Sequence, residues 1–217
     1  QLLAERIQNE GAALGKIADE RMPFRRPTRA EALKMGHSVR DAAVLLLLVP
    51  HQGLWSVVLM QRPEYPGVHS GQISIPGGEV EPHDKDALGT ALREFEEEMG
   101  VALGVDNVIA QLTERYIPPS QFAVVPFIGV LEEVPVWNLE KEEVAAVLIV
   151  AVSELLGEQA LRSTPIEMND GTFVSLPAYH FKEHVIWGAT AIMLAEFAAA
   201  WVASFSDAKG AVRCASR

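Results

Sequence analysis

The sequence predicts a single α/β domain, and three stretches of the chain carry that prediction. Residues 42–49 are continuously apolar, as in a β-strand that is buried on both of its faces. A helix is expected between Asp84, interpreted as its N-cap, and Gly100, which ends it. Residues 188–205 form a second, strongly apolar helix. A chain of 217 residues, 49% of them apolar, has enough volume for one domain with a proper core.

The remaining elements follow from the same periodicities and from turn residues. Residues 1–40 are expected to be a helical extension, residues 41–205 the core of the domain, and residues 206–217 a tail. In the first half of the chain the predicted elements are an amphipathic helix at 2–20, a helical turn at 30–35, a hairpin of strands 42–49 and 55–61, a short strand at 73–75 and a Pro-Gly-Gly turn at 76–78. In the second half they are a strand indicated by residues 108–112 and Tyr116, strands at 123–131 and 144–152, a short helix at 152–161, a hairpin turn at 169–171 and a strand at 179–187. The first helix packs either on the core or on a partner subunit, so a homodimer is one arrangement that the sequence allows.

The charge and the cysteine content exclude several classes of function. A net charge of −11 leaves no electrostatic footprint for binding nucleic acid or an anionic membrane. The apolar helix at 188–205 is interrupted by Glu196 and is shorter than the roughly 20 residues of a membrane span, so it is interpreted as a buried or dimer-facing helix. The single cysteine, Cys214, excludes an intramolecular disulfide, and the first residues lack the pattern of a signal peptide. We therefore expect a cytoplasmic protein that acts on a small molecule.

The first of the two helices carries four glutamates within residues 94–98. Like charges at this spacing repel one another, so the helix must gain something from them. At about 100° per residue, Glu94, Glu97 and Glu98 fall on one side next to small alanines, whereas Glu96 falls on the solvent face. An oxygen-only cluster of this kind suits Mg²⁺ or Mn²⁺ and does not suit zinc. The alternative is a solvated acidic face that binds nothing.

The same stretch resembles the Nudix box, a motif written G-x5-E-x7-R-E-U-x-E-E-x-G-U in which U is a bulky apolar residue. Its second half is filled without a miss by Arg93, Glu94, Phe95, Glu97, Glu98, Gly100 and Val101. The first half departs from the motif, since Gly78 lies one residue too far from Arg93 and Lys85 takes the place of the first glutamate. Asp84 together with one extra loop residue is similar to the coenzyme A diphosphatase branch of that family. The resemblance implies the α/β Nudix fold, a mixed β-sheet sandwiched between helices (α/β/α).

A second block, ahead of the box, resembles the same branch. The pattern L-L-T-x-R-S-x3-R-x3-G-x3-F-P-G-G is matched by Leu59, Arg62, Gly71, Pro76, Gly77 and Gly78. The substrate-binding residues that this resemblance implies are Arg62, Gly71, Gln72, Gly77 and Gly78. Gly67 stands where the branch has a further arginine, so one candidate contact to a substrate phosphate is missing. For Arg62 the alternative role is a salt bridge to the acidic helix.

The resemblance also implies a reaction, the Mg²⁺-dependent or Mn²⁺-dependent hydrolysis of a diphosphate linkage in a nucleotide-type small molecule. Glu94, Glu97 and Glu98 would hold the metal, and Arg93 would order them by pairing with a neighbouring carboxylate. The general base is either Glu94 or a glutamate of a later loop, where Glu143 is the first choice.

The branch implies coenzyme A or its thioesters as substrates, with 3′,5′-ADP and 4′-phosphopantetheine as products. ADP-ribose and dinucleotides such as NADH are alternative substrates within the same chemistry. An alternative of another class is a module of the same fold that senses such a ligand without turnover. The retained R-E-x-x-E-E pattern argues against that alternative, because a sensor has no need of a costly acidic cluster.

Overall fold

The described residues form two β-sheets, with helices on both faces of the larger one. This computed structural model describes residues 1–22, 26–64, 71–157, 159–168 and 170–205. The helices in these ranges are α1 (Leu2–Arg21), α2 (Arg29–Lys34), α3 (Ala87–Met99), α4 (Val152–Leu155) and α5 (Gly188–Phe205). The strands are β1 (Arg40–His51), β2 (Leu54–Gln61), β3 (Ile73–Ser74), β4 (Gly77–Glu79), β5 (Val108–Gln111), β6 (Arg115–Ile117), β7 (Phe122–Val130), β8 (Ala146–Ala151), β9 (Leu161–Glu167), β10 (Phe173–Phe181) and β11 (His184–Ile186). The predicted tail, Asn169 of the predicted hairpin turn, and Gly67 lie outside the described residues.

Strand β1 is the centre of the larger sheet, in which the strand order is β3-β2-β1-β7-β5. It forms the predicted antiparallel hairpin with β2 through Gln52 and Gly53, whose φ angles of 50° and 76° suit a tight hairpin turn. On its other side β1 runs parallel to β7 over residues 40–48. Strands β4, β6 and β8 pair with β1, β7 and β2 respectively. The sheet is therefore mixed, as predicted.

The side chains of β1 project alternately into two apolar clusters, one on each face of the sheet. Leu46 and Leu48 join a cluster that includes the buried residues of α1 and α5. Leu45 and Leu47 pack on the opposite face with the buried side of α3. The sheet thus lies between α3 and the α1–α5 pair, which confirms the prediction of an α/β/α arrangement.

Helix α5 is the core of the layer opposite α3. By length and composition alone it could cross a membrane, but 61% of it is buried inside the protein, as in the core helix of a soluble domain. Arg115 of β6 donates to Glu196 of α5 (2.6 Å) and to Asp19 of α1 (2.6 Å). Glu196 also accepts hydrogen bonds from the amide and the hydroxyl of Thr113. These buried polar contacts, with the apolar packing around them, hold α1 on the core of its own chain.

The predicted Pro-Gly-Gly turn is confirmed only at Pro76, where the chain bends and reverses direction between β3 and β4. Gly77 and Gly78 instead belong to β4, which pairs antiparallel with Val44 and Ala43 of β1. A Cβ on Gly77, where φ is 146°, would collide with the carbonyl oxygen of Ala43. The glycines therefore permit close pairing with the central strand, and the reversal itself lies at Pro76, between β3 and β4.

Two predictions in the last third of the chain are also wrong. The helix expected at 152–161 ends at Leu155, because Gly157 (φ 95°) turns the chain and β9 begins at Leu161. The strand expected at 179–187 reverses at Lys182, which adopts a φ of 52°. The result is an antiparallel hairpin of β10 and β11, which with β9 makes a separate three-stranded sheet.

Candidate active site

Helix α3 presents the candidate site and is held at both ends by its own sequence. Asp86 is the N-cap, and its carboxylate accepts a hydrogen bond from the amide of Gly89 (2.8 Å). The prediction that Asp84 caps this helix is wrong, because the Asp84 carboxylate is turned toward Arg93 instead. At the other end Gly100 adopts a left-handed conformation (φ 68°), as predicted.

Strand β4 lies directly against the acidic side of α3. The amide of Gly77 donates a hydrogen bond to Oε2 of Glu98 (2.7 Å). A Cβ on Gly78 would lie 2.5 Å from the carboxyl carbon of Glu94, so a larger residue here would displace the Glu94 carboxylate. The structure therefore brings Glu94, Glu98 and the two glycines together, and four of the predicted site residues share one small region.

Arg93 donates all five of its N–H groups to acceptors within the protein. Nε and Nη2 donate to Asp84 (2.9 and 3.0 Å), Nη1 donates to Glu94 (2.9 Å) and to Glu97 (2.8 Å), and Nη2 also donates to the carbonyl of Glu79 (3.1 Å). These contacts raise the pKa of Arg93, chiefly through the bonds to Asp84. A guanidinium has five donors, so Arg93 has none left for a substrate. Its contacts order the carboxylates around it, as expected from the sequence.

Glu98 is an acidic side chain that is almost completely buried, with 1% of its surface exposed. Burial raises its pKa to about 8, while the hydrogen bond from Gly77 and the nearby charge of Arg62 act in the opposite direction. Burial also raises the pKa of Glu94, and its bond to Arg93 opposes that rise. Both carboxyls are therefore withdrawn from water at the edge of the core.

The three predicted metal ligands lie on one side of α3 but differ in how far they are exposed to water. Glu97 is 57% exposed, whereas Glu94 is partly buried and Glu98 is buried, and Glu94 and Glu97 accept hydrogen bonds from the same nitrogen of Arg93, Nη1. Within the part of the chain that the structure describes, no three His, Cys, Asp or Glu side chains are grouped as a ready metal site. Glu94 and Glu98 nevertheless fit a divalent ion, because both are oxygen donors whose charged form is disfavoured by burial and would be stabilised by a bound cation.

Arg62 and Gln72, two of the predicted substrate-binding residues, are joined through their main chains. The amide of Arg62, just after β2, donates to the carbonyl of Gln72 (3.0 Å), and Gly71 donates to the carbonyl of Pro63 (3.0 Å). Nε of Arg62 is buried and has no hydrogen-bond partner among the described residues. No ion pair joins Arg62 to α3 in these same ranges, although its charge lowers the pKa of Glu98. Arg62 is thus a cation near the buried carboxyl with an uncommitted donor.

Glu143 lies on an exposed loop that is attached to the end of α3. The amide of Glu140 donates to the main-chain carbonyl of Glu98 (3.0 Å), and the amide of Asn138 donates to that of Met99 (3.2 Å). The charge of Glu143 contributes to the raised pKa values of Glu94 and Glu98. Its carboxylate is therefore close to the buried pair and accessible to water.

The sequence did not reveal two contacts of this arrangement. One joins Asp84 to Arg93, and the other joins Thr90 to Asp84. The Thr90 hydroxyl donates to Asp84 (2.9 Å), and the side chain is fully buried within α3. Neither contact has a local sequence signal, since each depends on how the loop after Glu79 returns to the helix.

The NUDIX domain family matches residues 38–169. The chain is 32% identical over 161 residues to the human mitochondrial coenzyme A diphosphatase NUDT8, covering 73% of this chain and 67% of that protein. It is 31% identical over 210 residues to the chloroplastic Nudix hydrolase 22 of Arabidopsis thaliana, covering 88% of this chain and 69% of that protein.

Among solved structures, the NUDIX domain of Shewanella oneidensis NrtR in complex with ADP ribose is similar at a TM-score of 0.45 and 18% identity. That match covers 59% of this chain and 86% of the other. The family match spans more than half of the chain and contains the acidic helix, the glycine strand and Arg62. This chain belongs to the Nudix hydrolase family and is an enzyme of that family.

Proposed function

We propose that the chain hydrolyses a diphosphate linkage in a nucleoside diphosphate derivative, with coenzyme A or its thioesters as the foremost substrates, and that it needs Mg²⁺ or Mn²⁺. The observation that carries this proposal is the approach of two withdrawn carboxyls, Glu94 and Glu98, to the side-chain-free strand at Gly77 and Gly78. A glycine backbone leaves room for phosphate oxygens beside the carboxyls. Small-nucleotide hydrolysis is also the chemistry of the family to which the chain belongs.

The metal would be held by Glu98 and Glu94, with Glu97 as the third ligand. When bound, a divalent ion screens the phosphate oxygens and lowers the pKa of a coordinated water. Arg93 keeps the carboxylates in place and does not touch the substrate, because all of its donors are committed. The burial of Glu98 supports its assignment as a metal ligand. A carboxyl with a pKa near 8 destabilises the metal-free fold at neutral pH, so the protein retains it for a reason other than stability.

Arg62 is the candidate contact for a substrate phosphate. Its buried Nε lacks an acceptor among the described residues, and a phosphate oxygen would supply one. Gly71 and Gln72, which follow the loop after Arg62, would line the same side of the substrate. In a protein of net charge −11, Arg62 and the metal would together neutralise the charge of an anionic substrate.

Glu143 is the favoured general base, and Glu94 is the alternative. Glu143 is exposed to water and close enough to raise the pKa values of both buried carboxyls. A water molecule between Glu143 and the phosphate could pass its proton to that carboxylate. Glu94, by contrast, is already engaged by Arg93.

The relationship to the coenzyme A diphosphatase NUDT8 supports coenzyme A as the substrate, at 32% identity. Gly67, which replaces the arginine of that branch, leaves ADP-ribose and NADH as the alternatives. The test is to incubate the protein with coenzyme A, ADP-ribose or NADH, with Mg²⁺ or with EDTA, and to identify the products by mass spectrometry. We expect 3′,5′-ADP and 4′-phosphopantetheine from coenzyme A in Mg²⁺ alone. Binding of these compounds without any product would contradict the proposal and would favour a sensing module.

A further inference from the structure

Ser74 carries a buried hydroxyl that no group within the described ranges engages. Its Oγ is shielded from water and has no hydrogen-bond partner among those residues. The residue as a whole is partly exposed, so the hydroxyl lies just below the surface of the protein. A buried hydroxyl without a partner lowers the stability of the fold, and a bound group that supplies the partner would explain why it is there.

The strand register places this hydroxyl on the side of the sheet that carries the acidic helix. Ser74 lies opposite Met60 in the antiparallel pair of β3 and β2. Met60 belongs to the apolar cluster that packs under α3. Ile73 and Ile75, the neighbours of Ser74 in the chain, belong to the cluster on the opposite face. Side chains alternate along a strand and directly opposed residues share a face, so Ser74 faces α3.

Arg62 approaches the same place from the end of β2. It follows Met60 by two residues, and its amide extends the ladder by donating to the carbonyl of Gln72 (3.0 Å). Its charge lowers the pKa of Glu98, as expected of a side chain on the α3 face. Arg62 and Ser74 thus hold diagonal positions on one face, where residues lie about 7–8 Å apart and a long side chain spans the gap. Nε of Arg62 and Oγ of Ser74 are both buried donors that lack an acceptor within the described ranges.

We infer that Ser74 is a further substrate-binding residue, whose hydroxyl donates, together with Nε of Arg62, to one phosphate group of the substrate. The inference rests on the proposed function, which places the diphosphate beside Gly77 and Gly78. Phosphate oxygens accept both hydrogen bonds at once, so one group supplies the partner that each donor lacks. Ser74 lies only three residues before Gly77, whose amide donates to Glu98, so a phosphate held at Ser74 remains close to a metal at the carboxyls.

Ser56 provides a matched control on β2, the strand that pairs with β3. It is buried, but its hydroxyl donates to the carbonyl of Leu54 (3.4 Å) and so has a partner in the free protein. It lies six residues before Arg62, about 20 Å away along the strand and out of reach of a phosphate bound there. Ser56→Ala therefore removes a hydroxyl that the fold already uses, whereas Ser74→Ala removes one that it does not use.

The experiment measures how tightly the full chain in Mg²⁺ binds adenosine 5′-(α,β-methylene)diphosphate, whose bridge cannot be hydrolysed, by isothermal titration calorimetry. Thermal unfolding without the analogue is the second readout. We expect Ser74→Ala to weaken binding by about 10–100-fold, because a hydrogen bond to a charged group is lost. Its melting temperature should equal or exceed that of wild type, since the free protein loses no hydrogen bond. Ser56→Ala should lower the melting temperature and leave the affinity within about twofold of wild type.

A Ser74→Ala protein that binds the analogue as tightly as wild type would overturn the inference and would indicate a hydroxyl that only water satisfies. Weaker binding accompanied by a lower melting temperature would mark Ser74 as a structural residue and would overturn it as well. So would wild-type protein that does not bind the analogue. Binding that depends on Ser74, in a protein that cleaves neither coenzyme A nor ADP-ribose nor NADH, would uphold the Ser74 contact and refute the proposed reaction.

Discussion

Replacing Glu98 by glutamine measures how much the charge of the buried carboxyl lowers the free energy of unfolding. The glutamine amide mimics the protonated acid, since its carbonyl oxygen accepts the bond from Gly77 and its NH₂ group replaces the acid O–H. The substitution therefore removes the charge without opening a cavity. We expect the metal-free variant to be more stable than wild type at neutral pH and to lose turnover by orders of magnitude.

The size of the effect follows from the pKa of Glu98. Its ordinary value of 4.5 rises to about 8 in the fold, so the folded state holds the proton more tightly than the unfolded state. The stability that this tightly held proton contributes is complete below pH 4.5 and is lost as the pH rises toward 8. At pH 7 the loss is about 3 kcal/mol, which for a chain of this length corresponds to a melting temperature about 6–12 °C higher in the variant.

Thermal unfolding in EDTA at several values between pH 5 and 8, for both proteins, measures this difference. The difference in melting temperature between Glu98→Gln and wild type should grow with pH across that range. A constant difference, or a variant less stable than wild type at pH 7, would refute the account of the buried carboxyl. Hydrolysis at wild-type rate by the variant in saturating Mg²⁺ would refute its catalytic assignment.

Three further substitutions test other contacts. Gly78→Ala places a methyl group on the carboxyl of Glu94, so we expect kcat to fall at least about tenfold with little change in melting temperature, and a wild-type kcat would contradict the close approach. Arg62→Gln removes a charged phosphate contact and should raise KM for coenzyme A about tenfold or more in steady-state assays, whereas an unchanged KM would exclude that contact. Glu196→Ala leaves the buried Arg115 without its buried ion-pair partner and should lower the free energy of unfolding in urea by about 3 kcal/mol, whereas an unchanged urea midpoint would contradict this role.

The sequence predicted those elements whose signals are local. The apolar run of β1 needs to be buried on both faces whatever its neighbours are, and the Gln52–Gly53 turn fixes its hairpin with β2. Helix α3 could be predicted from its apolar stripe and from Gly100, which takes the left-handed conformation that ends it. The sequence also indicated that Arg93 orders carboxylates, because a charge of opposite sign four residues before Glu97 lies on the same side of the helix.

What the sequence left undetermined depends on contacts between distant segments. Asp84 and Asp86 are equally good N-caps by residue type, and the choice between them is made by Arg93, which binds Asp84 from about two turns inside the helix. Glu97 falls near Glu94 on a helical wheel and Arg93 binds both, but the exposure of Glu97 and the burial of Glu98 depend on what packs against the helix. The reversal at Lys182 has no glycine or asparagine to signal it, so β10 and β11 were predicted as one strand.

The most direct test of the account is the location of a bound divalent ion. Crystals of the protein grown with Mn²⁺ should give an anomalous scattering peak in contact with carboxylate oxygens of Glu94 and Glu98, beside the strand at Gly77 and Gly78, at about 2.0–2.2 Å from its ligands. A peak at that place, absent from crystals of Glu98→Gln, is the predicted result. Mn²⁺ bound elsewhere on the protein, with none at these two carboxylates, would contradict the account.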